Sequence, residues 1–484
     1  MIKKAGLWQT YSSTINLVLG MLQVAILARL LNASDFGVMA ILMVVISISQ
    51  VFSDLGMANY IVHKQKSTEE LNSTIFWMCT LSGCMLFLGL SLSASFVAEL
   101  YGRAQIETLL PLAALAFLPI SAMSQLQAQF TRVMRLVALA KIDITSRILA
   151  TIVTVSAAYY DYGVESIIYG NLIYSSCKCF LIWIFANHEW RPSFKFSVEE
   201  AKSAWSYGVY QIGSQLINQL RINLDTMFLA FYLGNASLGY YSLAKQLVSK
   251  PTALILPVVR KLTLPLIAQA QTKLDKLNFL VSKAHVIVIL LLMWPYSLFV
   301  ALASEFVYIV YGEGYVEVAF LVIPLSLYWL VRSVGGAIAG TLVQALGLTK
   351  IDFYWNVAVF CILSMVCAIF SQYGPSVLAW SLFCLQCMFF IAIYFVYFKR
   401  AIDLRYSLYF KPVIIFGTVA LIASCSASAV VEVLGIVKPF FIITSVVILS
   451  GLINYVLCWF FGANLISLPS PAFLLNKWLR KPTI

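Results

Sequence analysis

Apolar runs long enough to cross a lipid bilayer follow one another along this chain. Fourteen stand out, near 7–31, 36–62, 74–98, 107–130, 140–160, 165–187, 205–233, 238–266, 283–303, 316–345, 351–370, 376–398, 411–432 and 438–461. A spanning α-helix needs roughly 20 such residues, so the expected fold is an all-α membrane protein with about 14 transmembrane helices. Composition agrees: 61% of the residues are hydrophobic and only 11% are charged, whereas a soluble domain carries about 25%. Two runs hold helix breakers or charge. The 107–130 run contains Pro111 and Pro119, and the 238–266 run contains Lys245, Lys250, Pro251, Pro257 and Pro265.

A net charge of +12 invites a nucleic-acid partner, but its distribution points to the bilayer and to no nucleic acid. With the N-terminus inside, twenty-three lysines and arginines fall in inner connections and two, Arg103 and Lys438, in outer ones. That asymmetry follows the positive-inside rule and puts both termini in the cytoplasm. Ile2–Lys4 lead into a span of about 25 residues without an A-x-A-like site, so the first helix is expected to stay as a signal-anchor. Ten cysteines lie almost wholly inside the apolar runs. Cys384-x-x-Cys387 and Cys177-x-Cys179 have metal-like or redox-like spacing, yet neither has a histidine nearby, so they are expected to be packing residues. His63, His188 and His285 sit at expected cytoplasmic helix ends and form no constellation. No connection exceeds about sixteen residues, too few for an extramembrane domain. The sequence implies no enzyme, metal or cofactor.

The chain repeats itself. Ala28-Arg-Leu-Leu-Asn-Ala-Ser-Asp-Phe-Gly37 is matched by Ala230-Phe-Tyr-Leu-Gly-Asn-Ala-Ser-Leu-Gly239. Both pass from a helix through a short turn into a helix that opens near a glycine, with Ser or Asn suited to capping it. Six runs separate the copies, so they point the same way, and parallel repeats in a transporter place substrate between two pseudo-symmetric lobes. The expected organisation is a six-helix lobe over 1–190, a cytoplasmic linker over 191–204, a second six-helix lobe over 205–400, and a two-helix extension with a cytoplasmic tail over 401–484.

Seven cations fall inside the runs: Arg29, Arg147, Lys178, Arg221, Lys245, Lys250 and Arg332. Only Asp54 and Asp225 accompany them at comparable depth. Charge in hydrocarbon costs at least about 2.5 kcal/mol, so such residues face the protein interior or a wet cavity. A cationic excess there asks for an anionic ligand. Each residue also has a structural reading. Arg29 can snorkel at a helix end beside Asp35, and Arg147 can pair with Asp143 one turn away. Lys178, among Ser175, Ser176 and Cys177, fits tight packing or a wet lining. Arg221 and Asp225 share a helix face, either as a neutral pair or as a switch in which Asp225 takes a proton or cation while Arg221 meets substrate. Asp54 either partners an interior cation or binds a coupling ion. Lys178, Lys245, Lys250 and Arg332 have no acid nearby in sequence and carry most weight as anion-binding residues. Gln211, Gln215, Asn218, Gln219 and Asn223 make the 205–233 run too polar to face lipid.

Several stretches together resemble the polysaccharide flippases (Wzx type) of the MOP superfamily, and most closely the colanic acid exporter branch. They are Ala28-Arg-Leu-Leu with Asp35-Phe-Gly37, Ser53-Asp-Leu-Gly-Met-Ala-Asn59, Leu224-Asp225, Gly239-Tyr-Tyr-Ser-Leu-Ala244, Pro257-Val-Val-Arg260 with Pro265, and Leu330-Val-Arg-Ser-Val-Gly335. The resemblance implies a V-shaped two-lobe MATE-like fold in the bacterial cytoplasmic (inner) membrane, working by alternating access. The implied cargo is a lipid-linked oligosaccharide on undecaprenyl diphosphate, moved outward for exopolysaccharide, capsule or O-antigen synthesis, with polysaccharide polymerase machinery as a candidate partner. The seven cations then become candidates for holding the diphosphate, and Gln211, Gln215, Asn218 and Asn223 for meeting sugar hydroxyls. Asp54 and Asp225 become candidates for ion coupling. The alternatives are a MATE-like cation or multidrug antiporter, which calls for an acidic cavity, and a membrane glycosyl polymerase, which calls for a longer outer loop.

Overall fold

The computed structural model describes residues 2–57, 60–61, 68–186, 192–271, 273–435 and 438–462. His63, His188, Lys64, Lys66, Arg191 and the basic residues of the 477–481 tail lie outside them. Among the described residues all regular structure is helical. The first half contains α1 (Ile2–Leu30), α2 (Ala33–Ser49), α3 (Glu69–Leu92), α4 (Ala94–Tyr101), α5 (Gln105–Ala114), α6 (Phe117–Arg132), α7 (Leu136–Tyr159), α8 (Val164–Ala186) and α9 (Val198–Tyr232). The second contains α10 (Asn235–Gln269), α11 (Leu274–Ala301), α12 (Ala303–Tyr311), α13 (Val316–Leu346), α14 (Thr349–Phe370), α15 (Pro375–Ile393), a π-helical turn and short helix over 394–402, α16 (Tyr406–Val433) and α17 (Pro439–Gly462).

Among the described residues twelve helical stretches are long and apolar enough to cross a membrane, and the chain is a multi-span membrane protein. The other two expected spans, 140–160 and 205–233, are also long helices, α7 and α9. These two carry Asp143 and Arg147, and Arg221 and Asp225, charges that lower their apolarity. Local chemistry sets several starts. The Thr68 hydroxyl accepts from the Leu71 amide and the Ser197 hydroxyl from the Glu200 amide, each ahead of a glutamate pair in the first turn. The Asp35 carboxylate accepts from the Asn32 amide at the start of α2. The proline-bearing α10 continues through Pro251, Pro257 and Pro265. Tyr311 and Tyr296 hydroxyls donate to the Leu243 and Val248 carbonyls on that helix.

The chain divides into two compact units, Met1–Ser242 and Leu243–Ile484. The division falls inside α10, downstream of the expected 191–204 linker. In the first unit α7 packs between α1 and α8, α3 against α6, and α9 against α2 and α3. The described part of the linker is docked on α3. The Trp77 indole donates to the Ser193 carbonyl at 3.0 Å, the Ser197 amide donates to Thr74 at 2.9 Å, and Phe194 stacks on Trp77. This docking ties α9 to the helices before it. In the second unit α11 packs against α13 and α16, and α13 against α15. The two-helix extension is therefore built into its unit: Leu298, Leu302, Ala427, Val431 and Val446 share one apolar core. Buried His285 lies flat on Tyr409, with Nε2 3.2 Å from the Tyr409 carbonyl.

The repeat has a direct structural meaning. A Cβ on Gly37 would lie 1.9 Å from the Asn235 carbonyl oxygen, and one on Gly239 would lie 1.9 Å from the Ala33 carbonyl oxygen. Each helix therefore places its glycine on the carbonyl four residues before the other's glycine, and backbones meet without intervening side chains. We predict that Gly37→Ala and Gly239→Ala each cost about 1–3 kcal/mol through overpacking. Gly89→Ala, where the site is open, should leave the thermal melting midpoint in detergent unchanged.

Candidate functional site

The first unit is organised around a broken helix. A continuous span over 36–62 was expected; instead α2 ends at Ser49 and gives way to a 3₁₀ turn over Gln50–Phe52. The backbone then enters left-handed conformations at Leu55 (φ 51°) and Gly56 (φ 68°). A break in hydrocarbon is stable only when the freed backbone groups find partners. Here the Ser82 hydroxyl donates to the Phe52 carbonyl at 2.6 Å, Ser121 to the Ser53 carbonyl at 3.1 Å, and Cys79 to the Asp54 carbonyl at 3.5 Å. The Gly56 amide donates to Asp54 Oδ1 at 3.0 Å, closing the turn as an Asx motif. Gly208 of α9 lets the Leu55 carbonyl come within 2.2 Å of where its Cβ would be. The Ser-Asp-Leu-Gly sequence thus makes a self-satisfied kink that presents Asp54.

A second cluster joins α1, α7 and α8. Asp143 pairs with Lys178 at 2.7 Å, accepts from the Tyr174 hydroxyl at 2.9 Å, and accepts from the Asn16 amide at 3.2 Å. This corrects two expectations. Lys178 has an acid partner, supplied by tertiary packing, and Asp143 gives its ion pair to Lys178 on the neighbouring helix. Arg147 turns toward α1, where a Cβ on Gly20 would be 3.2 Å from its Nη2.

Asp54 and Lys178 line one cavity of about 810 Å³ in this unit. Its wall also includes Gln50, Ser124, Gln127, Asn171, Gln215 and Gln219, with Met39, Met43 and Ile120 among its apolar members. Of the four amides proposed to meet sugar hydroxyls, Gln215 lines this cavity. Gln211 packs under the kink, its Cβ 2.9 Å from where a Gly56 Cβ would stand. Asn218 is exposed and accepts from Arg221 at 3.2 Å. Asn223 donates to Ser47 on α2 at 3.2 Å and to the Gln219 carbonyl, so it ties helices together. Asp225 is 8% exposed and accepts from the Tyr241 hydroxyl at 2.7 Å and the Thr226 amide at 2.8 Å. Arg29 is exposed at the end of α1, where it is engaged by neighbouring groups.

The remaining candidates belong to the second unit. Lys245 and Lys250 are half-buried on α10, each engaged with surrounding groups. Arg332 on α13 donates from Nη1 to the Tyr328 hydroxyl at 3.0 Å, and its guanidinium lies 5.1 Å from the Trp329 ring centroid. Among the described residues no carboxylate pairs with it. Next to it, Ser333, Thr252 and Tyr296 form a hydroxyl chain with 2.7 Å links.

Sequence reasoning passed over Asn16, Tyr174, Asn171, Ser124 and Gln127, and treated Asp143 only as a local partner. One signal for Asp143 was present. Asp143 lies 17 residues before Tyr160 and Lys178 lies 15 after Gly163, so a tight antiparallel hairpin brings them to equal depth. The other residues are ordinary hydroxyls and amides whose facing depends on packing.

A multi-helix membrane protein with a broken second helix and a polar cavity belongs to a recognisable structural class. The fold is shared with the lipid II flippase MurJ in an inward closed conformation, at TM-score 0.77 and 14% identity, covering 94% of this chain and 99% of that one. It is also shared with an inward-facing multidrug resistance MATE family transporter of the MOP superfamily, at TM-score 0.63 and 13% identity, over 80% and 94% of the two chains. Residues 26–320 match the family described as polysaccharide biosynthesis protein, and the chain belongs to that family. The amylovoran biosynthesis protein AmsL of Erwinia amylovora is 35% identical over 315 residues, covering 64% of this chain and 80% of that protein. The lipopolysaccharide biosynthesis protein WzxC of Escherichia coli (strain K12) is 26% identical over 353 residues, covering 72% and 71%. The resemblance carried by the sequence motifs is borne out.

A double-mutant cycle checks the ion pair. Asp143→Asn and Lys178→Met should each destabilise the protein more than the double variant does, with a coupling of about 1–3 kcal/mol in detergent melts. A coupling near zero would mean that the pair does not organise α7 and α8.

Proposed function

We propose that this protein is a flippase that carries an undecaprenyl-diphosphate-linked oligosaccharide from the cytoplasmic to the periplasmic leaflet of the bacterial inner membrane. Transport proceeds by alternating access, without covalent chemistry on the cargo, and both termini face the cytoplasm. The relatives AmsL and WzxC are named for polysaccharide biosynthesis, and MurJ for flipping lipid II. The observation that carries the reading is Arg332. Its charge sits at mid-helix on α13, is oriented by Tyr328 and Trp329, and has no carboxylate partner among the described residues. A planar guanidinium held this way keeps donors for a phosphate and pairs with it through charge-assisted hydrogen bonds.

In this scheme Lys245 and Lys250 add positive charge to the same unit, and Arg29, Arg147 and Arg221 contribute to the field in the other. Direction comes partly from the membrane potential: each negative charge moved from a negative interior to the outside gains about 2.3 kcal/mol per 100 mV. The exported lipid-linked glycan is then available to a polysaccharide polymerase. Asp225, bonded to Tyr241 on the next helix, is the residue at which a coupling proton or cation would alter helix contacts.

Deleting the chain should make a lipid-linked oligosaccharide accumulate on the inner leaflet, read by glycan extraction from inverted vesicles. Arg332→Ala should abolish export and leave the protein in the membrane; Arg332→Lys should restore only part of it, since an ammonium cannot form the paired bonds. Normal export by Arg332→Ala would remove the diphosphate-binding role. If uptake of labelled organic cations appeared instead, the antiporter reading would replace this one. For coupling, transport by Asp225→Asn that keeps the wild-type response to pH and sodium gradients would eliminate Asp225.

A further inference from the structure

We infer that the cavity of the first unit is a subsite for uncharged sugar residues of the cargo, in which Asp54 recognises sugar hydroxyls and repels the diphosphate. This rests on the flippase reading above and assigns one part of its site. Among the described residues two charged side chains line the cavity, Asp54 and Lys178. The Lys178 charge is already spent, since its ammonium lies 2.7 Å from Asp143. Asp54 has no ion pair of this kind among the described residues; its Oδ1 accepts from the Gly56 amide. Among the described residues the lining therefore offers no uncommitted cation, which a diphosphate requires. An ionised carboxylate is an acceptor with several lone pairs, well matched to adjacent hydroxyl donors on a sugar ring.

The rest of the wall fits the same ligand. Gln50, Gln127, Asn171, Gln215 and Gln219 offer amides that donate and accept. Methionines and isoleucines beside them suit the apolar faces of pyranose rings. The volume, about 810 Å³, lies within the roughly 300–1,000 Å³ range of small-molecule sites. The geometry of the kink holds Asp54 in place: its carbonyl, like those of Phe52 and Ser53, is bonded to a neighbouring helix. The anion-binding and sugar-binding tasks are thus assigned to different places, the diphosphate to Arg332 and the sugars to the Asp54 cavity.

The test uses full-length protein in nanodiscs carrying Ser124→Cys, with maleimide labelling at position 124 read by peptide mass spectrometry. Three probes are compared: the reducing oligosaccharide released by mild acid from the intermediate that accumulates in the deletion strain, inorganic pyrophosphate, and sodium chloride against potassium chloride. The oligosaccharide should slow labelling, while pyrophosphate and sodium should not. Adding Asp54→Asn, which keeps an oxygen for the Gly56 amide, should raise the glycan concentration needed for half-protection about tenfold. Protection by pyrophosphate, by sodium alone, or by nothing would overturn the assignment, as would full glycan protection in Asp54→Asn. Failure of the broader reading looks different: no lipid-linked intermediate accumulates on deletion.

Discussion

Everything in this molecule depends on one constraint: in hydrocarbon, each backbone polar group and each charge needs a partner within the protein. The chain meets it where helices run straight and, more tellingly, where one breaks. Between Ser49 and Met57 the helix ends, and Ser82, Ser121 and Cys79 of two other helices donate to the Phe52, Ser53 and Asp54 carbonyls, the last of which also accepts from the Met57 amide. The break therefore costs little, and it delivers a carboxylate to a cavity wall. The same constraint explains Asp143, whose charge is met by Lys178, Tyr174 and Asn16 from two other helices. Polar groups that look like functional excess in sequence are here partly the supports of the fold.

That distinction reshapes the functional picture. Seven intramembrane cations read as one anion-binding set divide once partners are visible. Lys178 is neutralised, Arg147 packs on Gly20, and Arg29 is exposed at a helix end. Arg332 stands apart: it has oriented aromatic neighbours and, among the described residues, no acid. A transporter for an amphipathic, anionic glycolipid needs different chemistry for phosphate and for sugar. The two units hold different kinds of polar group, with the amide-rich cavity and its Asp54 carboxyl in the first and the oriented arginine in the second.

Much of the fold was legible in the sequence. Apolar runs marked the helices, the positive-inside asymmetry supported their number, and the repeat around Gly37 and Gly239 was visible, though the close approach of its two copies was not. The kink at Ser53–Gly56 was not legible, because apolarity continues through it and its stability comes from residues 25 to 70 positions away. The partner of Lys178 was missed for a different reason: the i,i+4 neighbour of Asp143 drew the pairing, and the equal depth of Asp143 and Lys178 across the hairpin turn, countable from the sequence, went unused. Linker 191–204 looked like a boundary by its polarity, but Ser193 and Ser197 bind α3 and carry α9 into the first unit. Arg332 has no acid nearby in the sequence and, among the described residues, none in space, so its candidacy reads the same at both levels.

The central claim is movement of a diphosphate-linked glycan across a bilayer by this protein alone. The direct measurement reconstitutes the purified chain in liposomes containing a fluorescently labelled undecaprenyl-diphosphate oligosaccharide and follows bleaching by a membrane-impermeant reductant. The account predicts that bleaching passes the outer-leaflet fraction and approaches completion. Bleaching that stops at the level of protein-free liposomes, under an imposed potential and with pH and sodium gradients, would contradict it.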